Sequence, residues 1–271
     1  MIKMMRNIVW NFKKYRFLMN ELISRDFKVK YKRSVLGVVW SLLYPILMMI
    51  VMAVVFSQMF KFKVEGQNYL VYLMTGIIMF NYFSEASNNG MTSIVVNFGL
   101  LNKVYIPKYI FPLSKCLFVG INFLLTLIPW IGLIAASYFG LGEYVCHFNI
   151  YFLLLPYVFL CLFIFTVGIS FLLSAVSVLL RDMFYIYGII LMIWQYVTPV
   201  FYSIQIIPES LQKIFKLNPL YQFLEGARVI VVNGHAPSGT LLLTMGLWAV
   251  GMLLVGAIVF KKNQDKFIYY I

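Results

Sequence analysis

From residue 35 to residue 260 the chain is almost continuously apolar, and the 34 residues before that stretch are crowded with Lys and Arg. A spanning helix needs about 20 consecutive apolar residues. Five charge-free runs reach that length: 35–60, 116–142, 144–180, 183–208 and 229–260. A sixth, 67–84, continues past Glu85 into another uncharged stretch. The predicted fold class is an all-α membrane protein with six transmembrane helices. A five-span alternative makes 69–96 re-entrant. A seven-span alternative uses the surplus length of 144–180 and of the region after Pro199.

Charge sets the orientation. Only 11% of the 271 residues are charged, against 62% hydrophobic, where a soluble protein carries about 25% charge. The formal net charge of +13 is not a nucleic-acid signal, because the basic residues flank spans, where anionic headgroups hold them. Of 22 Lys and Arg, 17 fall in 1–34, 97–115, 181–182 and 261–271, and 5 in the intervening loops. This positive-inside bias places both termini in the cytoplasm and requires an even number of spans. The basic N-terminal region is too long for a cleavable signal, and 35–60 has no small-residue cleavage pattern, so the first span is expected to remain.

The chain divides into a cytoplasmic region (1–34), a membrane domain (35–260) and a cytoplasmic tail (261–271). Within 6–32, Ile8, Phe12, Tyr15, Leu18, Met19, Leu22, Ile23 and Phe27 recur at spacings of three and four among Lys13, Arg16, Arg25 and Lys28. That pattern predicts an amphipathic helix in the membrane interface; the plainer reading is a positive-inside flank. The segment 97–108 mixes Leu100, Leu101, Val104 and Tyr105 with Lys103 and Lys108 and is stopped by Pro107. Its apolar face asks either for a docking partner or for the protein's own spans. The insertion 203–228 is broken by Pro208 and Pro219. It is too hydrophobic for a free loop and too interrupted for a span, so it reads as short re-entrant helices at the outer leaflet.

The stretch Asn81 to Gly90 is polar and must face a bundle interior or a wet cavity. Glu85, its one acid, is either a proton or cation site or a structural acid satisfied by neighbouring Asn or Ser groups. Deep aromatics, among them Tyr82, Phe83, Trp194 and Tyr196, offer faces on which sugar rings could stack, although lipid contact explains most of them equally well. No nucleotide-binding glycine loop occurs. His147 and His235 are far apart, and Cys116, Cys146 and Cys161 have no metal or redox spacing. An enzyme is disfavoured. A self-sufficient secondary transporter is disfavoured too, because no internal repeat is evident. Two copies driven by a separate ATPase fit this bareness better.

Three ordered stretches carry a family resemblance. The first is Arg25-Asp26-Phe27-Lys28-Val29-Lys30-Tyr31, continuing through Leu36-Gly37 and Trp40 to Tyr44-Pro45. The second is Phe83-Ser84-Glu85-Ala86, continuing through Asn97 and Leu101 to Lys103-Val104-Tyr105-Ile106-Pro107. The third is Thr198-Pro199-Val200-Phe201-Tyr202, followed by Pro208 and Leu217-Asn218-Pro219-Leu220. Across nearly its whole length the chain resembles the membrane subunits of type-2 ABC exporters for polysaccharides.

That resemblance implies a homodimeric permease in the bacterial plasma membrane, two copies of a separate nucleotide-binding ATPase that use ATP and Mg, and no cofactor in this chain. The implied cargo is a lipid-linked glycan such as an O-antigen, capsule, teichoic acid or rhamnan. It implies that Asn97, Leu100, Leu101, Lys103, Val104 and Tyr105 couple to the ATPase. Arg25, Asp26, Lys30 and Tyr31 then belong to the interface helix and its approach to the first span. Tyr82, Phe83, Glu85, Trp194 and Tyr196 are candidates for the path, and Pro199, Phe201, Pro208, Asn218, Pro219 and Leu220 for an outer gate. The coupling stretch keeps only Lys103 where relatives often place two bases, which favours apolar docking over charge pairing. The alternative is an ABC-2 permease for a drug, lipid or other small molecule.

Overall fold

Inside a bilayer every backbone polar group must be satisfied by the protein itself, and the chain meets that constraint with helices. A computed structural model describes residues 2–32, 36–37, 39–55, 68–101, 106–139, 146 and 148–270, with the side chains of 2–14, 53 and 268 excluded. Among the described residues the fold is all-α. In chain order the α-helices are α1 (Ile2–Tyr31), α2 (Val39–Val54), α3 (Tyr69–Val96), α4 (Phe98–Leu101), α5 (Ile110–Tyr138), α6 (Leu155–Leu179), α7 (Met183–Val197), α8 (Glu209–Leu217), α9 (Pro219–Val231), α10 (Gly239–Asn263) and α11 (Phe267–Tyr270). Short 3-10 turns precede α6 at Ile150–Leu154, precede α8 at Ile204–Ile206 and follow α10 at Gln264–Lys266.

Among the described residues three helices are long and apolar enough to cross a membrane: Ile110–Tyr138, Ile150–Leu179 and Gly239–Lys266. Two shorter apolar helices, Val39–Met52 and Met183–Val197, accompany them. Of the first predicted span, 35–60, residues 35, 38 and 56–60 lie outside the described residues, and Pro45 sits inside helix α2. Within the charge-free run 183–208 helix α7 ends at Val197, because Pro199 removes a backbone donor and biases Thr198 out of helical geometry. At α3, Asn68 accepts from the amides of Leu70 and Val71 and starts the helix. Helix α3 then runs 28 residues, about 42 Å at 1.5 Å per residue. Eighteen of its residues are buried, Thr75, Ser87 and Ser93 among them, against α2, α5, α6 and α9, while Asn88 is exposed.

Helix α10 shows how little of a spanning helix needs protein cover. Its buried residues are Met245, Ala249, Gly256 and Phe260, a single stripe, while Leu243, Leu247, Val250, Leu254 and Ile258 are exposed. The stripe packs on α6. Small residues let spanning helices approach closely. Here a Cβ at Gly168 would come within 2.5 Å of the Met252 carbonyl, and one at Gly256 would lie on the Gly168 carbonyl.

Helix α1 buries Met19, Leu22 and Asp26 against the base of α5 and its neighbours, while Phe17 and Val29 stay exposed. The predicted amphipathic stripe therefore has protein under part of its length. At the opposite end of α3 lie α8, amphipathic with no buried residue, and α9, largely buried.

Replacing Gly256 by Val is expected to force α6 and α10 apart and to destabilise the protein by about 3 kcal/mol, the upper range for overpacking. Thermal unfolding of the purified protein measures this. An unchanged midpoint would show that the two backbones do not meet there.

Candidate functional site

Two polar clusters occupy opposite ends of α3, and each ties a non-helical or surface segment to the bundle. At the α1 end, Asn97 caps the C-terminus of α3, its Nδ2 donating to the Ser93 carbonyl at 2.7 Å. Arg25 Nη1 donates to Asn97 Oδ1 at 2.9 Å. The next residues form α4, in which Leu100 and Leu101 are half-buried against the cluster under α1. Lys103, Val104 and Tyr105 lie outside the described residues. Where the chain resumes, Lys108 Nζ donates to the Gln264 carbonyl at 2.5 Å and sits 5.7 Å from the centre of the Phe267 ring. The segment 97–108 is thus pinned on one side by α1 and on the other by the C-terminal tail.

Asp26 holds α1 to α5. It is 8% exposed and pairs with Lys115 at 2.7 Å and Arg25 at 3.0 Å. One turn on, Lys30 Nζ lies 2.7 Å from Glu85 Oε1 and 5.6 Å from the centre of the Phe118 ring. The Tyr31 hydroxyl donates to Asn122 Oδ1 at 3.1 Å and shares a hydrogen bond with Ser41. Glu85 is therefore a paired, partly exposed acid, and its partner is a lysine 55 residues away rather than a neighbouring Asn or Ser.

At the other end the Thr198 amide makes the last helical bond of α7, to the Trp194 carbonyl, and the turn runs on to residue 202 outside the helix. Its carbonyls are nonetheless answered one after another. Arg228 Nη1 donates to the Pro199 carbonyl at 2.7 Å, and Nη2 donates to the Val200 carbonyl at 2.8 Å. The hydroxyls of Tyr69 and Tyr72 donate to the carbonyls of Phe201 at 3.1 Å and Tyr202 at 2.8 Å. Arg228 is 2% exposed, and its guanidinium lies 3.5 Å from the centre of the Tyr72 ring. Gly76 makes the room, since a Cβ there would be 2.6 Å from Arg228 Nη2. Asn218 completes the cluster. Its Oδ1 accepts from Trp194 Nε1 at 3.0 Å and from the Leu220 amide at 3.1 Å, while its Nδ2 donates to Thr198 Oγ1 at 2.8 Å.

Pro199, Phe201, Asn218, Pro219 and Leu220 therefore meet in one place, and Pro208 stands apart at the start of α8. The candidate path residues fall into two groups and one outlier, with Tyr82 and Glu85 bordering one cavity. Phe83 is fully buried, 5.1 Å from the Trp194 ring; Tyr82 packs on Phe123; Tyr196 is exposed on α7. Arg228 and Lys115 escaped the sequence reading, Arg228 because it was counted as a loop charge. The signal was a single charge within the otherwise apolar run from Ala227 to Val232. Outside the spans, burial raises the Cys146 thiol above its ordinary range, partly offset by a hydrogen bond with Ser137, so its reactive thiolate is suppressed. Among the described residues no group of three or more His, Cys, Asp or Glu could hold a metal ion.

Arg228→Met is expected to leave the Pro199 and Val200 carbonyls unpaired and to destabilise the protein by about 3 kcal/mol. Arg228→Lys should recover less than half of this, because an ammonium lacks the planar fork. Thermal midpoints of the two variants check the claim; equal stability of Met and Arg at this position would contradict it.

The profile of the ABC-2 type transporter family matches residues 18–232. The O-antigen export system permease protein RfbA of Klebsiella pneumoniae is 28% identical over 98% of this chain and 98% of its own length. Its namesake from Myxococcus xanthus is 26% identical over 98% of both. The polysialic acid transport protein KpsM of Escherichia coli is 22% identical over 90% of this chain and 92% of its own. The profile spans both polar clusters and every helix from the middle of α1 to the end of α9. With its several long apolar helices, the chain belongs to the ABC-2 type transporter family, as a multi-pass permease subunit of the bacterial inner membrane.

Proposed function

We propose that this chain exports a lipid-linked polysaccharide from the cytoplasmic to the outer face of the membrane, with ATP hydrolysed by a separate subunit. Two copies form the path, and two copies of a nucleotide-binding ATPase, using Mg and ATP, dock beneath. Each copy has six spans with both termini in the cytoplasm. The observation that carries the reading is the full-length similarity to permeases named for O-antigen export. The polar cluster at the α1 end supports it. The segment 97–108 is held at both ends, by Arg25 on Asn97 and by Gln264 and Phe267 on Lys108. A force applied to it therefore reaches α3, α1 and the tail together. Leu100 and Leu101 give that segment the apolar surface an ATPase groove would take.

The turn 198–202 with α8 and α9 serves as the outer gate. An open pore wide enough for a sugar chain would leak ions, so the outer mouth needs a cover. In this structure the turn is drawn onto α3 by Tyr69, Tyr72 and Arg228, which fits a closed state. Glu85 acts as a structural partner of Lys30, with ATP rather than a proton gradient as the energy source.

Deleting the gene is expected to remove the surface glycan and to leave its lipid-linked precursor inside the cell. Leu101→Asp should insert normally yet fail to restore surface glycan. Its copurification with the ATPase should fall at least about tenfold, because a charge would enter an apolar contact. Unchanged surface glycan in the deletion strain, with altered sensitivity to a drug or altered lipid composition, would instead favour a small-molecule or lipid permease.

A further inference from the structure

Between α1, α2, α3 and α5 lies a cavity of about 350 Å³, at the lower end of the roughly 300–1,000 Å³ range of small-ligand sites. Its polar lining has unused capacity. Asn122 is 4% exposed; its Oδ1 accepts from Tyr31, and its Nδ2 has no partner. Asn81 of α3 also lines the cavity and makes no hydrogen bond among the described residues. A buried amide without a partner is a standing penalty to folding, so its retention points to a ligand that completes it. The charged groups at this cavity neutralise one another, Lys30 and Glu85 being 2.7 Å apart. An incoming anion would have to break that pair. From α2, Trp40 and Tyr44 contribute rings that are 46% and 54% exposed.

We propose that this cavity binds a neutral, hydroxyl-bearing ring, the class to which one sugar unit of a glycan belongs. A carboxamide offers a donor and an acceptor side by side, which matches adjacent ring hydroxyls. The aromatic rings take the apolar face of the same ring. The inference rests on the export reading above. In that reading the cavity sits beside the basic interface helix, at the cytoplasmic end of the spans, where a lipid-linked glycan arrives. It names Asn81 and Asn122 as the residues that recognise the sugar there.

The probe is an octyl glucoside carrying a diazirine on its sugar, photolysed with the full chain in lipid nanodiscs and mapped by mass spectrometry. Labelling is expected on peptides of α2, α3 and α5. Excess octyl glucoside should compete it away, and neither octyl phosphate nor octanol should. Asn81→Leu should lower specific labelling about tenfold with an unchanged thermal midpoint, since Asn81 makes no hydrogen bond among the described residues. Trp40→Leu, at a half-exposed ring, should lower it as well. Competition by octanol as strong as by octyl glucoside would identify a pocket for an alkyl tail, and competition by octyl phosphate a headgroup anion site; either result overturns the proposal. So does full labelling in Asn81→Leu. Glycan export by a chain that is never labelled in the cavity would overturn the sugar site while leaving the export reading intact. Labelling lost in Asn81→Leu, in a chain that exports no glycan, would retain the site and refute the export reading.

Discussion

The end of the bundle where α7 breaks depends on one side chain. Helix α7 stops at Thr198 because Pro199 cannot continue it, and the turn that follows carries carbonyls with no helical partner. In a soluble protein water would take them. Here Arg228 reaches back from α9 and supplies two donors in a fixed plane, and two α3 tyrosines supply two more. A buried guanidinium would be unfavourable by itself. Its aromatic neighbour Tyr72 and the paired carbonyls offset that cost, and Gly76 gives it space. Without this arrangement the break in α7 would leave buried carbonyls unpaired beneath α9.

Helix α3 joins that end of the molecule to the other. Its first turns carry Tyr69 and Tyr72, and its last residue is followed by Asn97, to which Arg25 binds. A straight helix of this length transmits displacement with little loss. In the proposed exporter, a push on the segment after Asn97 would arrive as strain on the turn 198–202. The polar middle of the same helix, around Asn81 and Glu85, borders the cavity beside α1. One element therefore touches the proposed coupling segment, the proposed sugar site and the proposed gate turn.

The three long apolar helices were legible in the sequence because hydrophobic length is a local signal. Helices α5, α6 and α10 fall where charge-free runs predict them, and the break after α7 falls at its proline. Polar contacts were less legible, because they depend on residues far apart in the chain. Lys30 reads as one more basic flank residue until Glu85 is seen beside it. Arg228 reads as loop charge until the turn it caps is folded. The amphipathic stripe of α1 is visible at 3.6-residue spacing, but the pattern cannot tell a lipid surface from the base of α5. Aromatic content is no more specific. Phe83 fills the core beside Trp194, Tyr82 borders the cavity between α1, α2, α3 and α5, and Tyr196 is exposed on α7.

The most direct measurement is glycan movement in proteoliposomes containing this chain and its partner ATPase. Lipid-linked polymer is supplied on the side that exposes the ATPase, and the polymer that reaches the opposite side is scored with an impermeant lectin. The expected result is movement that requires both subunits and ATP and persists when ion gradients are collapsed. Movement driven by an imposed proton gradient without ATP, or by this chain without its partner, would contradict the account.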